Sequence, residues 1–222
     1  LRTLRWFDTI NPLDPRGESA GVDALLARYY FPNNQNIWFW LLHNEKAQLK
    51  GNEQLASAKN IEPGGRWQIP LGNAELAISA HHRLRLDQQR ETKIAGDFRF
   101  DYFLGFWGEY QYLLAETNSG QQLSLGADYT LPLFYGWHLM LEQQISSQSQ
   151  IPDFTAFSLD FPLSIFANFT LALLTDSDFE STNLSLQYQR SYDQIIWFVT
   201  FSSQRENSQS ENIISFDLSY DF

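Results

Sequence analysis

Between Ile214 and Phe222 the chain alternates without a break. Ile214, Phe216, Leu218, Tyr220 and Phe222 are apolar, while Ser215, Asp217, Ser219 and Asp221 between them are polar. A period of two puts every apolar side chain on one face of an extended strand and every polar one on the other. The strand therefore needs an apolar medium on one side only. A strand of a soluble sandwich can alternate in this way, but it is usually shorter and rarely so aromatic. Nine to eleven residues is the length at which a tilted strand crosses a bilayer.

The same pattern recurs upstream. Leu123, Leu125, Ala127, Tyr129 and Leu131 alternate with Ser124, Gly126, Asp128 and Thr130. Ile94, Gly96, Phe98, Phe100 and Tyr102 alternate with Ala95, Asp97, Arg99 and Asp101. Shorter versions run through Phe157–Phe161, Leu184–Gln189 and Ala74–His81. Ile37 to Leu42 and Ile195 to Phe201 are apolar on both faces, which suits packing against an internal plug or against each other. All eight prolines fall in the expected connections or at strand ends, as a missing N–H demands. No long segment has the 3.6-residue period with caps; only Ser19 to Arg28 and Asn52 to Lys59 suit a short helical turn.

Alternation also accounts for the composition. Aromatic residues make up 16% of the 222, yet mean hydropathy is only -0.35. The apolar residues never form a block: the longest runs, such as Ile37 to Leu42, are far below the roughly 18 residues of a helical span. The formal charge of -11 argues against nucleic acid as a partner, because that needs a basic surface. The absence of cysteine excludes disulfides and a thiolate zinc site, and suits an oxidising compartment. The chain opens at Leu1 with no initiator Met or signal region, so either a targeting segment has been removed or the chain is a fragment.

Counting back from Phe222, tight connections are expected near Pro32–Gln35, Gly72–Asn73, Leu104–Gly105, Pro132–Gly136, Pro162–Ser164 and Tyr192–Asp193. Longer polar ones are expected at 43–66, 86–90, 116–121, 146–153, 175–181 and 204–212. Aromatics crowd the tight turns: Tyr30, Phe31, Trp38 and Trp40; Tyr102, Phe103, Phe106 and Trp107; Phe134, Tyr135 and Trp137; Phe161 and Phe166; Tyr192 and Trp197. They read as one interfacial girdle. The sequence thus predicts an all-β, antiparallel transmembrane β-barrel of about 12–14 strands in a single domain spanning 1–222. Residues 1–21 are expected to form an N-terminal strand and loop segment, incomplete if the chain is truncated, with Leu1–Trp6 the candidate fourteenth strand. The segment Arg66–Ile69 is the shortest strand, and 43–66 the longest loop, a candidate for folding inward as a constriction.

The closing stretch Ile213–Phe222, alternating and ending in an aromatic residue, resembles the last strand of Gram-negative outer-membrane β-barrel proteins of the porin-like kind. Asn11–Pro15 followed by Val22–Phe31 also looks like a loop and strand of a porin-like barrel. The resemblance is one of pattern, covers most of the chain and points to no subfamily. It implies an outer-membrane location, a lipid bilayer as surroundings and recognition by the barrel-assembly machinery during biogenesis. Tyr220 and Phe222 would then carry the assembly signal. A homo-oligomer or an envelope protein is a compatible further partner.

The polar positions supply the candidate site. Glu75, Arg83, Asp97, Arg99, Asp101, Glu109, Asp128, Glu142, Asp160, Asp217 and Asp221 are expected to line the lumen, with Arg28 and Lys93 among the opposed cations. A surplus of carboxylates on a water-filled wall favours cations; mutual neutralisation in a packed lumen is the opposite outcome. His81 and His82 are adjacent, so they face opposite sides of a strand and cannot chelate one ion together. A hydrolase would need His81 or His82 with Asp87 near the rim, and nothing in the spacing favours that. The acidic loop with Asp176, Asp178 and Glu180 lacks the glycine and ligand spacing of a calcium loop. Asn168 and Asn183 match the glycosylation pattern but sit inside strands. No phosphate loop, dinucleotide fingerprint or nucleophile elbow occurs, and no metal or cofactor is expected. The expected function is passive passage of small solutes through an acidic, cation-biased channel. The alternative is a non-conducting barrel serving as scaffold or partner in an outer-membrane assembly.

Overall fold

In a computed structural model, residues 23–44, 60–84, 90–116, 119–133, 135–148, 153–193, 195–206 and 209–220 are described. The first strands are β1 (Asp23–Tyr30), β2 (Asn36–Asn44), β3 (Asn60–Leu71), β4 (Ala74–Leu84) and β5 (Arg90–Asp101). β6 (Gly105–Ala115), β7 (Gly120–Leu131), β8 (Trp137–Ser146) and β9 (Phe154–Ser164) follow. β10 (Ala167–Asp176), β11 (Ser181–Tyr192), β12 (Ile195–Glu206) and β13 (Gln209–Tyr220) complete the set. They form one 13-stranded antiparallel sheet in simple sequence order, with no helix among the described residues. β1 and β13 are its two edges, so the sheet is not closed among these residues. The architecture is all-β and consistent with a barrel-like fold.

The pairing register turns the sequence alternation into two faces. Ile78 lies opposite Gly96, which lies opposite Tyr110; one residue along, Ala77, Asp97 and Glu109 form the next row on the other face. Nearly every buried residue belongs to the polar face, including Glu62, Ser79, His81, Glu91, Gln111, Ser124, Glu142, Ser185 and Thr200. The other face is exposed and apolar: Ile78, Leu125, Leu141, Phe216 and Leu218 are among its side chains. This inverts the ordinary rule that apolar groups go inside. Among the described residues there is no second layer, and the shielding of the polar face is consistent with a sheet that curls toward it. Three apolar residues of that face, Trp40, Leu42 and Ala95, form a small buried cluster with Trp38 packed against it.

Glycine makes the close packing of large rings feasible. A Cβ at Gly64 would collide with the Trp40 indole, one at Gly126 with Trp107, and one at Gly108 with Phe98. Each ring therefore lies over the bare backbone of the neighbouring strand. At Gly72 the φ of 61° is the left-handed value a two-residue hairpin needs at its first position.

Several expectations need correction. The uncertain strand Arg66–Ile69 is in fact β3, twelve residues long, and it takes residues 60–66 from the expected loop 43–66. Pro63 and Pro162 lie inside strands. Pro63 is tolerated because the β3–β4 ladder begins only at Gly64, and Pro162 because the β9–β10 register shifts beside it, between Ala167 and Asn168. The turn expected at Pro162–Ser164 is therefore at 165–166. The loop expected at 204–212 shrinks to 207–208, because β12 and β13 pair from end to end, so the contrast between short and long ends is weaker than expected. Residues 23–28 of the supposed helical turn Ser19–Arg28 belong to β1. The turn at Asn52–Lys59, Leu1–Trp6 and Asn11–Pro15 lie outside the described residues.

The girdle also needs revision. Tyr30, Trp38, Trp40 and Trp107 fall on the polar face by register, because each is an even step from Asn36 or from Glu109. Phe106, Trp137, Phe161 and Trp197 lie on the apolar face as expected, and Tyr102, Phe103, Tyr135, Phe166 and Tyr192 stand exposed at the turns, Tyr102 and Tyr192 each 75%. Phe134 lies outside the described residues.

Candidate functional site

The polar face is the candidate site, because it is where side chains of unlike charge are brought together and shielded. Glu75, Arg83, Asp97, Arg99, Asp101, Glu109, Asp128, Glu142, Asp160 and Asp217 all occupy it by register. Asp221 and Phe222 lie outside the described residues, as does Asp87. Tyr220 ends β13 on the apolar face, opposite Ile195.

Neighbours on this face pair with one another, across strands and, within β5, along one strand. Arg66 Nη2 donates to Asp97 Oδ1 at 2.8 Å and Nη1 to Oδ2 at 2.5 Å, a two-pronged contact that also reaches Ser79 Oγ at 3.2 Å. Arg83 Nε approaches Glu91 Oε1 at 2.8 Å, without the alignment of a hydrogen bond, and Lys93 Nζ lies 3.8 Å from the same oxygen. Arg99 Nε donates to both oxygens of Asp101 at 2.9–3.1 Å. Gln68 donates to Glu75, and the Ser124 hydroxyl donates to Glu142 at 2.7 Å. Thr170 donates to Asp160 at 2.6 Å, and His138 Nε2 meets Asp128 at 3.3 Å. Arg28 lies over the Trp38 ring, 4.3 Å from its centroid.

The charge is unevenly spread across the strands. Every Lys or Arg on the described polar face, namely Arg28, Arg66, Arg83, Lys93 and Arg99, lies on β1–β5, where Glu62, Glu75, Glu91, Asp97 and Asp101 match them. The polar face of β6–β13 carries no Lys or Arg among the described residues. It carries Glu109, Asp128, Glu142, Asp160, Asp176, Glu206, Glu211 and Asp217. Arg190 and Arg205 are on the opposite face by register. One part of the wall is internally paired, and the remainder is acidic with Ser, Thr, Asn and Gln between.

A buried group on this face joins His81 to Glu62, a residue absent from the expected lumen set. His81 is 1% exposed and Glu62 2%. Trp40 Nε1 can only donate, and it lies 3.1 Å from His81 Nδ1; that nitrogen is therefore the acceptor. Nε2 then carries the proton and donates to Glu62 Oε2 at 3.2 Å. Both ring nitrogens are committed, so His81 offers neither to a solute. His82, on the other face, contacts Thr92 Oγ1 at 2.9 Å. Glu62 was missed because Pro63, Gly64 and Gly65 interrupt the apolar alternation of β3. Replacing Glu62 with Ala removes the acceptor of a buried N–H, and a loss of about 1–3 kcal/mol is expected. Urea unfolding of Glu62→Ala followed by tryptophan fluorescence measures it; an unchanged midpoint would show the contact to be energetically idle.

Among the described residues no group of three or more His, Asp or Glu could hold a metal ion. Asp176 instead accepts from the Ser181 backbone N–H at 3.0 Å, closing the β10–β11 turn. Asn168 and Asn183 lie within β10 and β11. Comparison with protein-family models, with curated proteins and with solved structures finds no match.

Proposed function

We propose that this chain is an outer-membrane β-barrel of porin-like character, passing small solutes through a lumen walled by the polar face. The observation that carries the reading is the inverted burial: charged and amide side chains shielded inside the curl, and leucines, isoleucines and aromatic rings presented outward along the strands. In water such an outer face would be an aggregation surface far larger than a soluble monomer tolerates. In hydrocarbon it is the required one, and every strand between the edges β1 and β13 is paired on both sides. Since β1 and β13 are both odd in an antiparallel meander, they run the same way. Closure then takes one further antiparallel strand or a parallel seam.

The mechanism is passive. Hydroxyl and amide groups of β7–β12 replace part of a solute's hydration, and the acidic wall of β6–β13 raises the local concentration of cations. The paired cations of β1–β5 hold that part of the wall rigid rather than attract anions. The scaffold alternative draws on the packed cluster at Trp40, Leu42, Glu62 and His81, which fills the polar face where β2–β5 meet.

Planar-bilayer conductance in a KCl gradient tests the reading. A cation-selective current is expected, and it falls toward non-selectivity in the triple variant Asp128→Asn, Asp160→Asn, Asp217→Asn. The difference should grow as salt falls from 1 M, where the screening length is about 3 Å, to 0.1 M, where it is about 10 Å. A sealed bilayer that conducts nothing, with the protein inserted, would end the channel reading in favour of the scaffold.

A further inference from the structure

The apolar face is not uniformly filled. Between β3 and β7 it carries a depression of about 470 Å³, within the roughly 300–1,000 Å³ range of small-ligand sites. Its walls are Trp67, Ile69, Leu76, Ile78, Phe98 and Tyr110. Asp97 and Glu109 also border it, but the register turns their side chains to the opposite face, so they contribute backbone alone.

The floor of the depression is Gly96. Gly64, Gly108 and Gly126 each lie under a neighbour's aromatic ring, which restores the packing a glycine forfeits in a strand. Gly96 has no such cover: a Cβ there would meet only the Ala77 carbonyl oxygen, at 3.8 Å. A glycine inside a strand weakens it and marks a bulge, a tight bend or a close approach to the backbone; the ladders on both sides of Gly96 run without a register shift, which leaves a bend or a close approach. Gly96 lies opposite Ile78 and Tyr110, near the middle of its strand, at the height where the surrounding medium is hydrocarbon under the proposed function.

We infer that this depression binds an acyl chain of a membrane lipid, a reading that rests on the membrane placement proposed above. The occupant follows from the lining. No charged side chain faces the depression, so nothing there complements a charged ligand, and apart from the Trp67 N–H and the Tyr110 hydroxyl its side-chain walls are apolar. Twelve residues border it, well short of the roughly 20–30 residues a side of a stable protein interface. A second copy of the chain would therefore have to seat on the wider apolar face rather than in the depression itself. An uncharged, flexible chain supplied by the bilayer satisfies both limits.

The test uses Trp67, which lines the depression. The full chain is reconstituted in phosphatidylcholine bilayers containing a small fraction of phosphatidylcholine with brominated acyl chains. Subtracting the emission of Trp67→Phe isolates Trp67. In the wild type, Trp67 emission should fall at least about twofold more than the bulk bromolipid fraction predicts. In Gly96→Leu, which fills the floor, it should fall only in proportion. Gly96→Ala, for which the backbone has room, keeps the comparison open if the leucine variant does not fold. Proportional quenching in both wild type and filled variant overturns the inference. A cross-linked dimer that Gly96→Leu abolishes would assign the depression to a second copy and overturn it equally. Failure of the wild type to float with vesicles in a density gradient would overturn the membrane placement, and this site with it; flotation with proportional quenching overturns the site alone.

Discussion

Leu141→Arg should destabilise the protein in a bilayer by about 2–4 kcal/mol, although Leu141 is 55% exposed and no buried contact is lost. In a water-soluble protein a substitution at so open a position falls within about 0.5 kcal/mol. Leu141 sits mid-strand in β8 between Ala127 and Phe157, on the apolar face. Under the proposed function an arginine there meets hydrocarbon rather than water. Thr130→Arg, exposed on the polar face near the β7–β8 turn, is the matched control and should change stability by no more than about 0.5 kcal/mol. Reversible urea unfolding from vesicles measures both. Equal small effects would show that the two faces meet the same solvent.

Gly64→Val should cost about 2–4 kcal/mol by a different route. Its side chain would occupy the space of the Trp40 indole, so the ring must leave. Overpacking costs about 1–3 kcal/mol, and loss of the Trp40 to His81 hydrogen bond adds about 1 kcal/mol. The ring also packs on His81, with centroids 6.2 Å apart, and belongs to the small core with Leu42 and Ala95. If the indole is the cause, Gly64→Val should cost much less in a Trp40→Ala background, with a coupling above about 1 kcal/mol. Additive effects in that double-mutant cycle would place the damage in the backbone of β3 instead.

How much was legible follows from where alternation survives. Strands such as β7 and β13 announce themselves because each apolar residue is followed by Ser, Gly, Asp or Thr, and the register places them as expected. β3 was reduced to Arg66–Ile69 because Pro63, Gly64 and Gly65 have no hydrophobic side chain to mark a face. Yet β3 carries Glu62 and Arg66, the partners of His81 and Asp97. Its glycine and proline serve the neighbours: Gly64 admits Trp40, and Pro63 stands where one ladder has ended. The polar-face tryptophans were read as girdle residues for a related reason. Nearness to a turn is visible in sequence, but which side a ring faces depends on register, which only pairing fixes. The acidic residues were found because charge is local; their segregation from the cations was not, because it is a property of strand order around the sheet.

Single-cysteine labelling along β13 tests the central claim most directly. The chain has no cysteine of its own, so each engineered thiol reports alone. With the protein reconstituted in vesicles, cysteines at 215, 217 and 219 should react with a water-soluble, membrane-impermeant thiol reagent. Those at 214, 216 and 218 should be protected until detergent and denaturant are added, giving a period of two in lipid that disappears on unfolding. Equal reactivity at all six positions in intact vesicles would contradict the claim that the apolar face is covered by a membrane.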